Sequence, residues 1–560
     1  MPSRIFPPAQ SLATQATAAL PAAALFSLLV LALPAFPVPG TAQTHEELTE
    51  LFDEWRAFER PSFVDAVPDY SRDAMSRQHE ELESWQDRLR ALNPSRWSVE
   101  QQIDWHLVRA EMNGLDFDHR VRRPWARDPA FYVTIYSAES DVPAHEGSVI
   151  HGWVDLWTYE YPLSTADAAE LAERVAAIPA LLEHARDNLA DSNAADLWMA
   201  GDRSFRGQVA NLNALAQRVS GTSSALDRAI ADARDASEGF RLWLAGEAAS
   251  KTGSSGIGQD NYTWYLQNVH LVPYTWEEQV TLMRRELARA HASLRLEENR
   301  NRHLPELERI ASSEQFDRRL NASVTAYMRF LRDEEVQTIE PWMDSALRAV
   351  NGAFAPVEPG EVRNFFSEVN YRDPDAFRPH MHHWIELARM RENPHASPIR
   401  ATPSLYNIFD ARSEGLATGV EEMFMHLGLL EGSPRSRELT WIMLAQRAAR
   451  ALSGLMLHGN EFEMEEAVAH AMEWTPRGWL TEGALVRNEQ HLYLRQPGYG
   501  TSYVTGKIQI EELLGEYAIQ EADDFTVGRF FDAFYDAGVI PIVLTRWQMT
   551  GEKHSILETR

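Results

Sequence analysis

Four of the chain's 19 histidines fall in one short stretch, RPHMHHWIELARMRENPH, from Arg378 to His395. On a helix through Phe377 to Arg391, His382 and Glu386 stand four residues apart on one face, and His383 and Glu386, three apart, also converge. Neutral imidazole and carboxylate are the natural ligands of a catalytic zinc ion, which takes about three protein ligands and keeps one position open. The stretch FDARSEGLATGVEEMFMHLG supplies what the first one lacks. On it Glu414, Thr418, Glu421 and Met425 form a stripe at intervals of four, three and four, and Glu422 with His426 forms another. A ligand from a separate helix, here Glu414, completes the set. Taken singly, each helix also reads as a solvated, salt-bridged face; the closeness of two His/Glu helices in sequence is what speaks for the metal.

A third segment, RNEQHLYLRQPGYGTSYVTGKIQIEELLGEY, reads as a short extended run, a glycine-punctuated turn and a helix. Pro497, Gly498, Gly500 and Gly506 allow tight turning and close approach to a ligand. Tyr499 and Tyr503 would ride on that loop, where a phenol can donate a hydrogen bond to a developing oxyanion. The plainer reading is a packing corner with half-buried tyrosines. Neither His-Glu-x-x-His nor Gly-x-Ser-x-Gly occurs, so the two most visible hydrolase signatures are absent.

The elements that must position these groups are helices. From Thr44 onward most segments carry a 3.6-residue apolar period with acidic starts, as in STADAAELAERVAAIPALLEHARDNLADS and TWEEQVTLMRRELARAHASLRLEENRNRHL. Ser164, Thr165 and Thr275 are candidate N-caps. Strand-like runs are few: AFYVTIY, HLYLRQ and GVIPIVL. The expectation is a predominantly helical, all-α body with minor β-structure. It forms one large domain over residues 43–560, or two lobes with junctions near 250–261 (SKTGSSGIGQDN) and 351–362 (NGAFAPVEPGEV). Gly256-x-Gly258 in the first junction is no nucleotide loop, because no strand precedes it and no third glycine follows at the required spacing.

The N-terminus has one basic residue, Arg4, an apolar run from about Ala18 to Phe36 and the small-residue triplet Gly40-Thr41-Ala42. That is the layout of a secretory signal peptide over residues 1–42, cut before Gln43, so the expected location is periplasmic or extracellular. Pro21 and Pro34 and the lack of a following basic cluster argue against a retained anchor, and no later run is long enough to span a bilayer. The 560-residue chain has no cysteine, which removes disulfides, thiolate chemistry and lipid attachment through an N-terminal cysteine. With 53 basic against 82 acidic residues its formal charge is −29, a surface that repels nucleic acid and anionic lipid.

Five segments in order, WARDPAFYV, ARSEGLATGVEE, RAARALSGLMLH, LRQPGYGTSYVTGK and FFDAFYDAGVIPIVL, resemble the bacterial family known as domain of unknown function 885. Its members look like helical zinc peptidases of the gluzincin type. The resemblance implies a helical body around a deep cleft. The family's metal motif, His-Glu-x-x-Pro-Gly-His-His, corresponds here to Ala376 through His383. The terminal pair is kept as His382 and His383, whereas the leading histidine and the general-base glutamate fall on Ala376 and Phe377. The family's glutamate on the next helix corresponds to Glu414, and its loop tyrosine to Tyr503.

The function expected is therefore an exported hydrolase of the zinc-peptidase type with a rearranged site, acting on peptides. Zinc would be held by His382, His383 and Glu414, with Glu386 or Glu421 taking the proton and Tyr503 stabilising the oxyanion. The alternative is an inactive pseudo-peptidase that binds peptide or another ligand in the old cleft. An intact His382/Glu386/Glu414 cluster favours the first, and one split by salt bridges from Arg389 or Arg412 favours the second.

Overall fold

Helices account for nearly all regular structure in the computed structural model, which describes residues 44–356, 364–481 and 483–558. The leader over residues 1–42 and the second half of the junction at 351–362 lie outside the described residues. Among the described residues strand pairing is limited to two-residue pieces, Phe63–Val64 antiparallel to Val67–Pro68 and Ile135–Tyr136 parallel to Val154–Asp155, and a single bridge between Ala194 and Gly253. Local capping chemistry sets many helix starts. Ser164 accepts from the Asp167 amide at the head of Thr165–Ala176, and Thr275 with Glu278 forms a reciprocal capping box on Trp276–Asn301.

The three strand-like runs turn out differently. In AFYVTIY, Asp128 and Pro129 start a 3₁₀ turn through Tyr132, leaving only Ile135–Tyr136 extended. HLYLRQ is the end of a helix, Ala484–Arg495, because Val486, Gln490, Tyr493 and Leu494 repeat at helical spacing and are all buried. Burial of a 3.6-period face has overridden β-propensity there. In GVIPIVL, Pro541 stops extension and the helix Ile542–Thr550 begins just after it.

Two apolar cores organise the body. The smaller gathers residues from Val67 to Leu244 around Trp198, Phe205 and Phe240, and the larger runs from Leu48 and Trp55 to Leu557. Residues 250–261 carry the chain from the helix Ser224–Glu247 in the smaller core to Tyr262 in the larger one. Within the larger core four helices matter for the site. The histidine helix, His382–Glu392, packs on the glutamate helix, Asp410–His426. The glutamate helix lies along the tyrosine helix, Tyr499–Glu521, and the arginine helix, Ser436–His458, closes the group.

The glutamate and tyrosine helices touch backbone to backbone. A Cβ on Gly415 would overlap the Gly506 Cα, and one on Gly506 would overlap the Ala411 carbonyl oxygen. Gly506 is thus a spacer in a helix crossing. Only Gly498, at φ 96°, serves the turn. The turn is short, and Tyr499 and Tyr503 sit in the first turns of the helix, not on a loop.

Candidate active site

The histidine run does not form one helix. Pro374–Phe377 is a single α turn, Arg378–Met381 winds as 3₁₀, and α geometry resumes at His382. His380 and His383, three residues apart across the change of winding, share a side. His383 Nε2 lies 3.1 Å from Glu414 Oε2. The ligand-capable atoms of His380, His383 and Glu414 all fall within 4.8 Å of one another, and all three residues are buried.

His382 faces away from this group. Its Nδ1 is 3.1 Å from the Tyr327 hydroxyl and its Nε2 2.7 Å from that of Tyr535, so both ring nitrogens are already used. Burial, followed by the charges of Arg389 and Arg412, drives its pKa down to about 3. The face it shares with Glu386 is real, but that face turns toward Tyr535 and Arg412, away from Glu414. Of the expected ligands His382, His383 and Glu414, the last two stand together and His382 does not; His380 takes its place beside them, and Glu386 is also apart.

Both carboxylates expected to take a proton are clamped. Glu386 receives Arg412 through two bonds of 2.6 and 3.0 Å, with the guanidinium 3.9 Å above the Phe534 ring. Glu421 receives Arg447 at 2.6 and 2.7 Å, and Arg447 also lies 3.2 Å from His380 Nδ1. A bidentate arginine engages both oxygens of a carboxylate, which suits it poorly to take a proton from water. Glu421 has a different use. Its Oε1 is 3.3 Å from His380 Nδ1, which also lies beside Arg447; in the tautomer that donates from Nδ1 to Glu421 and gives up the Arg447 bond, the ring is fixed and Nε2 is left free, the way a carboxylate orients a ligating histidine.

Glu414 is held by both neighbouring elements. Burial alone would raise its pKa, but the charge and hydrogen bond of His383 lower it to about 2. For His383 burial pulls down, and Glu414 more than offsets it, giving about 9. Without a metal the two form a buried ion pair. On the other side Tyr499 meets Glu414 Oε1 at 2.7 Å, and the Tyr503 hydroxyl donates to Tyr499 at 3.1 Å.

Tyr499 also bonds a residue that no motif marks. Glu146 sits on a long strap, residues 137–153, and its Oε1 makes a short hydrogen bond to the Tyr499 hydroxyl. A phenol has one proton, and here it faces two carboxyl groups; one of them must bring its own. Burial and the charges of Asp141 and Glu414 push Glu146 up to about 7, which makes it the proton carrier. The strap is tied down around it. Asn407 donates to the His145 carbonyl at 3.2 Å, and Arg495 donates to the Ser148 carbonyl at 3.0 Å. Gln496 accepts from the Gly147 amide at 2.5 Å and donates to Asp410 at 2.6 Å. His380 could have been found from its three-residue spacing to His383. Glu146 could not, since nothing in a loop far up the chain announces where it will dock.

Across the strap from the cluster lies a cavity of about 640 Å³. Leu387 of the histidine helix, Gln496 and the strap residues His145 and Gly147 line it, so one layer of residues separates it from Glu146 and Tyr499.

The sequence profile described as bacterial protein of unknown function (DUF885) matches residues 58–376 and 382–549. The chain belongs to the DUF885 family. The match is interrupted over residues 377–381, the segment that carries Phe377 and His380. Among the solved structures that share the fold are two bacterial proteins. One, described provisionally as a lipoprotein of unknown function from Shewanella oneidensis, is 15% identical with a TM-score of 0.65, covering 90% of this chain and 97% of its own. The other, described in similar terms from Colwellia psychrerythraea, is 13% identical with a TM-score of 0.60, covering 91% and 99%. No curated protein matches the sequence.

Proposed function

We propose that this DUF885 protein is an exported, metal-dependent hydrolase acting on peptides, with zinc held by His380, His383 and Glu414. The observation that carries the reading is the convergence of those three buried ligand atoms within 4.8 Å. Two imidazoles and one carboxylate are the donor set of a three-ligand hydrolytic zinc site, and among the described residues no arginine pairs with Glu414 to compete for it. Export, to the periplasm or beyond, is supported by the leader-like N-terminus and by the lipoprotein description of both structural relatives.

Bound zinc would supply Lewis-acid polarisation of a substrate carbonyl. The chain's own residues do the rest. In its ionised form, which gains ground as pH rises through about 7, Glu146 takes the proton of the attacking water, in place of the glutamate whose position Phe377 occupies and of the clamped Glu386 and Glu421. Tyr499, backed by Tyr503, presents its hydroxyl to the developing oxyanion. Gln496 and Asn407 keep the strap, and hence Glu146, in register.

The second reading, a pseudo-peptidase, draws on the Arg412–Glu386 and Arg447–Glu421 pairs and on the His383–Glu414 ion pair, which balance charge with no ion present. A peptide-library cleavage assay on the zinc-supplemented chain separates the two. The hydrolase reading expects cleavage by wild type, with loss of at least a hundredfold in kcat for Glu146→Gln and Glu414→Gln. Absence of cleavage by wild type would leave the pseudo-peptidase.

A further inference from the structure

The 640 Å³ cavity beside the strap has walls of two kinds. Trp125, Phe131, Trp153, Trp157 and Tyr406 give it broad aromatic faces, with Trp157 42% exposed. Between them stand charged groups, and each already has a partner inside the protein. Glu59 pairs with His151 at 3.1 Å, Asp118 with Arg122 at 3.0 Å, and Asp155 with His145 at 3.0 Å. Glu139 holds Arg391 at 2.8 Å, and Arg56 is bound by Glu111 from behind the wall.

A cavity furnished in this way selects against charge. A ligand carboxylate would lose its hydration and find every arginine of the wall already bound, and a ligand ammonium would have to displace the histidine or arginine that each wall carboxylate holds. A sugar would fare little better, since its hydroxyls need acceptors and donors that these internal pairs already occupy. A flat apolar group meets aromatic faces at little desolvation cost, and the volume is typical of a ligand pocket. We infer that this cavity is a substrate subsite for the large aromatic or aliphatic side chain of an uncharged peptide segment. The inference rests on the peptide reading of the adjacent cluster and adds its side-chain preference.

The test is calorimetric binding of capped tripeptides, acetyl-Ala-X-Ala-amide, to the full chain with a chelator present, so that neither metal nor turnover enters. With X as Trp or Leu, binding at least tenfold tighter than with X as Glu or Lys is expected. Arg391→Ala, at an exposed position, frees Glu139 and should raise affinity for X as Lys severalfold while leaving X as Trp unchanged. Charged peptides binding as well as apolar ones, no peptide binding at all, or chitotriose binding more tightly than the X-as-Trp peptide would each overturn the inference. Failure of zinc binding or of library cleavage falls on the hydrolase reading alone, because these titrations require neither.

Discussion

Arg412 and Arg447 reach their glutamates with no side-chain exposure at all, and Glu386 and Glu421 are nearly as enclosed. Removing one partner of such a pair leaves an uncompensated charge in a poorly solvated place, at a cost of about 3–5 kcal/mol. Arg412→Met is therefore expected to lower the urea midpoint strongly, whereas Glu386→Gln with Arg412→Met should recover most of the loss. A double variant no more stable than the single one would contradict the buried-pair account. The His383–Glu414 pair sets a different expectation. Zinc needs a neutral imidazole, and His383 holds its proton up to about pH 9. Apparent zinc affinity should then climb by about tenfold per pH unit between pH 6 and 9. His383→Gln should abolish that slope along with most of the binding, as read by titration against a chromophoric chelator.

At the scale of elements the glutamate and tyrosine helices carry the site because they can approach so closely, and Gly415 and Gly506 permit it. Gly506→Ala should cost about 3 kcal/mol or more, since neither backbone can move aside without disturbing Glu414 and Tyr499. Gly515→Ala, on an open stretch of the same helix, should instead stabilise by about 0.5–1 kcal/mol. Thermal melts of the two variants check both signs. The same helices show how far a sequence can be read. Their existence followed from a 3.6-residue period, and Glu414 could be picked out because a short polar stripe on a helix is visible in one dimension, whereas Tyr499 was picked out only by its neighbouring glycines and placed on a loop. The 3₁₀ turn at Arg378–Met381 was not visible, and it decides whether His380 or His382 joins His383. Gly506 looked like a turn residue because glycine serves turns and close crossings alike, and only the partner helix tells them apart.

Over the whole molecule, several histidines are buried without a carboxylate. Burial leads in holding His106, His270 and His491 near a pKa of about 3, against an unfolded value of about 6.5. A folded pKa depressed in this way favours the native state fully above pH 6.5, and the benefit is lost as pH falls toward 3, because the unfolded chain takes up the protons first. These three should contribute about 4 kcal/mol per pH unit to the loss, and His270→Gln should lessen the slope by about 1.4 kcal/mol per pH unit. A flat profile from pH 6 to 4 would show that these rings are not held neutral. Long-range placement of this kind, a histidine sealed in a core or a glutamate brought in on a strap, is the part of the structure that sequence patterns do not encode locally. The central claim is that His380, His383 and Glu414 together form one binding site for a divalent ion. Its most direct test is zinc titration of the full chain beside His380→Ala, His383→Ala, Glu414→Gln and Glu386→Gln. One zinc per chain, weakened at least tenfold by each of the first three and untouched by the last, is the expected result; no stoichiometric zinc, or binding indifferent to the first three substitutions, would contradict it.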